Sequence, residues 1–279
     1  YIDLETRTWT TEQFTQAVKA LQNKYGETVA AVYCSGQNGD QGTRALVTNL
    51  YGGAFANDTH TGYVMNSEAN QQALTLLRDT KGIEFDDAIN GDEEATLFYH
   101  ESLKMSFCWD LARQTTPVVD EPTEEGGESV IHEAGKTING QTIEFMAFPS
   151  ETGESRLQGD IWCFGVFDNA DEERLEAAKL LVRFFADGQA TSDAVKAAGC
   201  FPVRSTADGV SLSNLWRDEQ VAGEYAKLTA FLSGYDALTP GWATARTEWW
   251  NMLQRIGNGG DVVIETDTCA ANANAAAKE

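Results

Sequence analysis

Short apolar runs alternate with amphipathic helical stripes along most of this chain, and that alternation limits it to folds that lay helices against a sheet. TVAAVYCSG (28–36) is a β-branched, apolar run that stops in a polar, glycine-containing loop, QNGDQG (37–42). Ahead of it, Thr10, Thr11, Glu12 and Gln13 supply a capping-box spacing, and Phe14, Ala17, Val18 and Leu21 recur at helical intervals until Gly26. Beyond it, NLYGGAF (49–55) leads into a Gly/Asn/Asp stretch, and Ser67 opens a helix carrying Ala73, Leu74 and Leu77 that Lys81 and Gly82 end. SLKMSFCWD (102–110) then places Leu103, Met105, Phe107 and Trp109 on one face at period two, the pattern of a strand. Residues 119–140 form an acidic surface excursion before TIEFMAF (142–148) resumes a strand pattern. IWCFGVF (161–167) reads as a second buried strand, and Asp168 or Asn169 caps a helix whose Leu175, Ala178, Leu181, Val182 and Phe185 form an apolar stripe ending at Gly188. A short helix runs to Gly199, and three further helical patterns follow, at about 212–232, 242–257 and 266–278. No internal repeat or low-complexity linker separates these pieces, so two lobes, if present, share interleaved segments.

With 279 residues the chain is long enough for two lobes or one large α/β domain. Its 20 Lys and Arg against 43 Asp and Glu give a net charge of −23, which repels nucleic acid and anionic surfaces at long range and favours a neutral or cationic partner. A solvated acidic surface explains the same charge without any steering role. No stretch approaches the roughly 18 consecutive apolar residues of a membrane span. The cysteines at 34, 108, 163, 200 and 269 show neither CxxC nor zinc spacing, so neither a metal site nor a disulfide framework is expected and buried thiols are. His60, His100 and His132 stand far apart, and HExxH, GxSxG and phosphate-loop glycine patterns are missing, so no cofactor and no catalytic constellation is nominated. The chain opens at Tyr1 without a charged or apolar leader, so a signal or anchor is expected to lie outside it.

The order of these segments resembles the carbohydrate-type extracellular solute-binding proteins (family 1) that feed ABC importers. RTWTTEQFTQAVKAL (7–21) is similar to their TWxEF-type helix, NSEANQQALTLLRDTKGI (67–83) to their "n.pe...AL..l..l...gi" segment, and LFYHESLKMSFCWD (97–110) to their "F..Gk.AM...g.w" strand. GDIWCFGVF (159–167) with EERLEAAKLLVRFFADGQATSDAVKAAGCFPVR (172–204) is similar to their strand and following "Pvr" block, and TPGWATARTEWWNMLQRIGNGG (239–260) to their late cleft helix. Thr10 and Thr11 stretch the first motif, Ser102-Leu103-Lys104 replaces the usual Gly-Lys, and Cys108 stands where a glycine precedes the tryptophan. The resemblance implies an α/β, type II periplasmic-binding-protein-like fold lacking most of the N-terminal lobe. The second lobe would then be essentially complete, with 1–157 its first part, 158–211 a segment of the first lobe, and 212–279 the closing helices. It also implies a non-catalytic, extracytoplasmic protein that needs no cofactor, passes a sugar or oligosaccharide to an ABC permease, and leaves the 172–187 stripe without its usual sheet.

A sugar has an apolar face and a rim of hydroxyls, so its site needs an aromatic plate with amide, carboxylate or guanidinium groups around it. By the resemblance, Trp109 and Trp242 are the candidate plates. A core residue on the Leu103/Met105/Phe107 face explains Trp109 equally well. Gln37, Asn38, Asp40, Gln41 and Arg44 form a candidate polar rim on a strand-to-helix turn, where a solvated loop is the plain alternative. Asp110 is a candidate hydroxyl acceptor or a helix cap, and Trp162 a candidate contact or a buried strand residue. Trp249 and Trp250 read as packing residues. A glycoside hydrolase, a lectin-like adhesion module and a binder of a non-sugar solute are the competing functions; among the 43 acids no motif nominates a catalytic pair.

Overall fold

Val29 to Cys34 are all buried, and in the computed structural model this run contains one strand of a parallel pair. The structure describes residues 1–26, 28–36, 40–120, 128–156, 165–168, 170–186, 194–195, 206–207, 210–211, 219–228 and 236–278. In chain order the larger elements are α1 (Thr11–Tyr25), β1 (Ala30–Tyr33), α2 (Asp40–Leu50), α3 (Glu68–Asp79), β2 (Ile83–Asp86) and α4 (Gly91–Tyr99). They continue with α5 (Leu111–Thr115), β3 (Val119–Asp120), β4 (Val130–Ile131), α6 (Glu172–Ala186), β5 (Thr206–Ala207), β6 (Val210–Ser211), α7 (Glu219–Leu228), α8 (Trp242–Gly257) and α9 (Val262–Ala276). The chain divides into two units, one of residues 1–109, 136–159 and 228–279, the other of 110–135 and 160–227.

In the first unit β1 pairs with β2 from Ala30↔Ile83 to Tyr33↔Asp86. Parallel strands are covered on both faces, which is why β1 is a continuous apolar run rather than an alternating one. The capping box at Thr10 forms as its spacing predicts, with Gln13 N donating to Thr10 Oγ1 at 3.1 Å and Thr10 N to Gln13 Oε1 at 2.7 Å. α1 ends at Gly26, whose φ of 74° is left-handed. Ser67 caps α3 as expected. Phe14 and Val18 of α1, Leu46 and Leu50 of α2, Leu74 and Leu77 of α3, and Trp249, Met252, Leu253 and Ile256 of α8 bury against Val29 and Val32 in one core.

Two expected strands are not ladder strands. In 102–110 Leu103 and Phe107 are buried, but Lys104 N and Met105 N both donate to the single Val29 carbonyl, at 2.8 and 3.0 Å. A side chain replaces the missing ladder: the buried Glu94 carboxylate accepts from Ser106 Oγ at 2.5 Å and Phe107 N at 2.6 Å. In 142–148 Ile143, Phe145 and Ala147 alternate inward as predicted, yet the segment is fastened to an irregular stretch, with Ala147 N donating to Arg7 O at 2.8 Å.

In the second unit Asp110 caps the short α5, and β3–β4 and β5–β6 are two-residue antiparallel pairs. The described end of the expected 161–167 strand, residues 165–167, is exposed and carries no ladder; the rest lies outside the described residues. α6 forms where its stripe predicts, but none of its residues is buried, and Leu180 and Phe184 are 64% and 65% exposed.

Two predictions follow from the packing of the first unit. A Cβ on Gly42 would fall on the Phe107 carbonyl and the Tyr33 hydroxyl, neither at the end of a flexible chain. Gly42→Ala is therefore expected to cost about 1–3 kcal/mol, read as a lower urea midpoint at unchanged slope. Burial pushes the Cys269 thiol up to about 12, and burial beside Asp86 and Asp87 pushes Cys34 higher still. Unfolded thiols ionise first, so stability is expected to fall as pH climbs past the ordinary thiol range, with both cysteines resisting thiol reagents until the protein unfolds.

Candidate ligand-binding site

Open α/β sheets place ligands beyond the carboxyl ends of their strands. Here β1 ends at Tyr33, and three pieces of the first unit gather aromatic and cationic groups: α2, the loop between α2 and α3, and the start of α8. Trp249 is fully buried and its indole Nε1 donates to Thr43 Oγ1 of α2 at 3.2 Å, while its ring stands edge-on to Phe55 at 5.6 Å. Phe55 meets Trp242 in the same manner, at 5.6 Å and 78°. Arg44, one turn into α2, is 2% exposed and lies under both rings, its Cζ 4.8 Å from the Trp242 centroid and 5.3 Å from that of Phe55. Aromatic faces of this kind offset part of the cost of burying a guanidinium.

The turn that delivers Trp242 is held from two sides. Tyr63 Oη donates to the carbonyls of Thr239 and Pro240, each at 3.0 Å. Gly241 takes a left-handed φ of 74° and packs so closely on the end of α9 that a Cβ would meet the backbone of Ala276 and Ala277. Trp242 is thus half-buried with its ring orientation set from below.

Along α8 the next positions on the same face are Arg246 and Trp250. The Arg246 Cζ lies 5.8 Å from the Trp242 ring and 5.8 Å from the Trp250 ring, so the guanidinium is interleaved between two indoles at i, i+4 and i+8. All three side chains are half-buried, beside the buried stripe of Ala245, Trp249, Met252, Leu253 and Ile256. Partial burial lowers the Arg246 pKa from its usual value, and the group remains charged at neutral pH.

Of the residues nominated from sequence, Trp242 and Arg44 are brought together. Arg44 is a correction in kind: it does not sit on a loop rim but inside α2, buried behind Trp242. Asp40 is the first residue of the same helix. Gln37, Asn38 and Trp162 lie outside the described residues. Trp109 is half-buried and falls outside the main core cluster, its ring edge-on to Phe98 at 5.2 Å and 75°. Asp110 performs the capping role, with Oδ1 accepting from Arg113 N at 2.8 Å and Oδ2 pairing with Arg113 Nη1 at 2.9 Å. Phe55 and Tyr63 went unforeseen because they sit in a loop without periodicity, and the 242/246/250 row went unforeseen as well, although its i+4 spacing is the signal that could have found it. Among the described residues no group of His, Cys, Asp and Glu is placed to hold a metal ion, and no helix is long and apolar enough to cross a membrane.

Residues 4–223 match the family described as bacterial extracellular solute-binding protein. Among solved structures, the chain is similar to an ABC transporter solute-binding protein from Agrobacterium radiobacter K84 in complex with ribitol, with a TM-score of 0.63 at 14% identity. The match covers 96% of this chain and 64% of that one, so this chain spans less than two thirds of its neighbour's length. At that identity the likeness concerns the fold, and the α/β architecture is that of a periplasmic-type binding protein. No curated protein matches.

The stacking predicts how the aromatic group responds to losing its cation. Arg44→Ala is expected to lower the unfolding free energy by about 2 kcal/mol or more and to shift the tryptophan emission as Trp242 loses its backing, both readable in one fluorescence-monitored urea titration.

Proposed function

The chain belongs to the bacterial extracellular solute-binding proteins, and from that premise we propose that it captures a small polyhydroxylated solute, a sugar, an oligosaccharide or a sugar alcohol, for an ABC importer. Capture is non-covalent, needs no cofactor and takes place outside the cytoplasm, with an ABC permease as the receiving partner. The observation that carries this is Trp242: a half-exposed indole held in a fixed orientation by Phe55, Arg44 and the Gly241 turn. A rigid aromatic surface of that kind covers the apolar face of a pyranose or polyol at little entropic cost. That the solved neighbour holds ribitol agrees with a hydroxyl-rich ligand.

Trp109 is the second plate in this reading. Asp110, although it caps α5, is exposed and retains acceptor capacity for a ligand hydroxyl beyond the bonds it accepts from Arg113. Gln37, Asn38, Asp40 and Trp162 complete the proposed set of hydroxyl and ring contacts, while Arg44 acts through Trp242.

Titrating the chain with ribitol and with neutral mono- and oligosaccharides, following tryptophan fluorescence and analysing the same samples for products, tests the assignment. A saturable change without turnover is the expected result, and Trp242→Ala and Trp109→Ala should each weaken it by about 1–3 kcal/mol with the fold retained. Appearance of cleaved product would instead establish a glycoside hydrolase, and unfolding of Trp109→Ala would make that tryptophan a packing residue.

A further inference from the structure

Leu50 ends α2, and the next residue, Tyr51, lines an open groove of about 580 Å³ together with the outer face of α3. A volume of that size suits a small ligand. The chain can run this close to α3 because position 53 is glycine: a Cβ there would lie 2.0 Å from Asn70 Oδ1. On α3 the groove follows one helical row, from Glu68 through Thr75 to Asp79, and at 1.5 Å per residue that row is about 16 Å long. Every lining residue belongs to the first unit, and none belongs to the aromatic group around Trp242.

The chemistry of the lining selects among ligands. Among the described residues no lysine, arginine or histidine lines the groove, so an anion meets no counter-charge there. Asp79 is already paired with Arg78, at 2.8 and 3.3 Å. The hydroxyls of Tyr51 and Thr75 and the amide oxygens of Gln71 and Gln72 make no hydrogen bond among the described residues. The two amide nitrogens are already placed, that of Gln71 on Thr266 Oγ1 at 3.1 Å and that of Gln72 on Glu68 Oε1 at 3.4 Å. What remains is a mixture of free hydroxyls, which donate and accept, with amide and carboxylate acceptors. Ligand hydroxyls, which also do both, match that mixture better than a group that only accepts. Tyr51 and Leu76, both half-buried against the core, supply the apolar surface that the face of a sugar ring covers.

We propose that the α3 groove is a second carbohydrate site, which takes a neutral oligosaccharide. Its length exceeds one sugar ring, and its neutral and acidic lining agrees with the net charge of −23, which repels anions from the whole surface. The groove is open, so it holds a ligand along one side without enclosing it, and binding there is weak. This site is independent of capture at Trp242.

The test follows backbone amide shifts of the isotope-labelled chain during titration with glucose, maltotriose and putrescine. Expected with maltotriose are saturating shifts at Tyr51 and along 68–80, with a dissociation constant of about 1 mM. Glucose should bind there several-fold more weakly, and putrescine should leave these positions unmoved. Y51F and T75V, each of which removes one hydroxyl and keeps the bulk, should weaken the maltotriose response by about 3- to 10-fold in proteins whose melting curves confirm folding. W242A should leave the α3 shifts as they are. Shifts confined to the Trp242 group would overturn the second site and leave capture standing. Shifts at α3 in a chain whose tryptophan fluorescence never responds to sugar would sustain this site and sink capture at Trp242. Putrescine acting at α3 in place of maltotriose would make the groove a cation site and overturn the proposal, as would equal responses in the wild type and both hydroxyl variants.

Discussion

The indole of Trp249 is the tie on which the first unit depends. It is the largest fully buried side chain among the described residues, and a buried indole N–H needs an acceptor, which the Thr43 hydroxyl of α2 provides. That one bond sets the register of α8 against α2, and the rest of the aromatic group follows. Phe55 is caught edge-on between Trp249 and Trp242, Arg44 lies one residue beyond Thr43 and so passes beneath the rings of Phe55 and Trp242, and Gln254 reaches the Cys34 carbonyl at 2.8 Å to close α8 over the end of β1. The surface proposed to face a ligand is therefore built on a helix whose inner side cannot shift without breaking the core.

With a parallel pair of strands at the centre of this unit, much of the surrounding chain is extended yet has no ladder to join. Its backbone groups still require partners, because an unpaired buried amide costs about as much as a lost hydrogen bond. Buried side chains take that role. Glu94 accepts from Phe107 N, Asn49 exchanges two bonds with Arg156, and Asn70 donates to the Ala54, Val64 and Met65 carbonyls. Each is a polar residue whose burial would be unfavourable alone and which becomes favourable by fastening an irregular segment to a helix. Asn70 thereby fastens both ends of the loop that carries Phe55 and Tyr63, and the proposed site inherits part of its order from these bonds.

Legibility in the sequence divided along the same lines. α1, α3, α6 and α8 were readable because each couples a 3.6-residue apolar stripe to a cap or a left-handed glycine. α2 was not, since its buried face combines Thr43 and Arg44 with Leu46 and Val47, and burial of the two polar residues arises only from the rings across from them. β2 offers one buried residue, Ile83, and exists because β1 needs a neighbour. In 102–110 and 142–148 the alternation correctly gave the inward face but not the pairing, which long-range contacts decide. For the site, Trp242 was legible as an aromatic after a Pro-Gly turn, while the place of Arg44 was not, because a short polar stretch looks the same at a helix start as in a loop.

The charge distribution gives the structure a division of labour by distance. The excess of acids is spread over exposed positions, where salt screens each charge within about a Debye length and the main effect is solubility. The cations near Trp242 are instead fixed against low-dielectric ring faces, where electrostatic interactions are less screened and geometry is preserved. In the proposed site, discrimination between ligands falls to the few groups that touch them, and the sign of the whole surface governs mainly how fast they arrive. A net charge read from composition thus constrains encounter and leaves retention to local contacts.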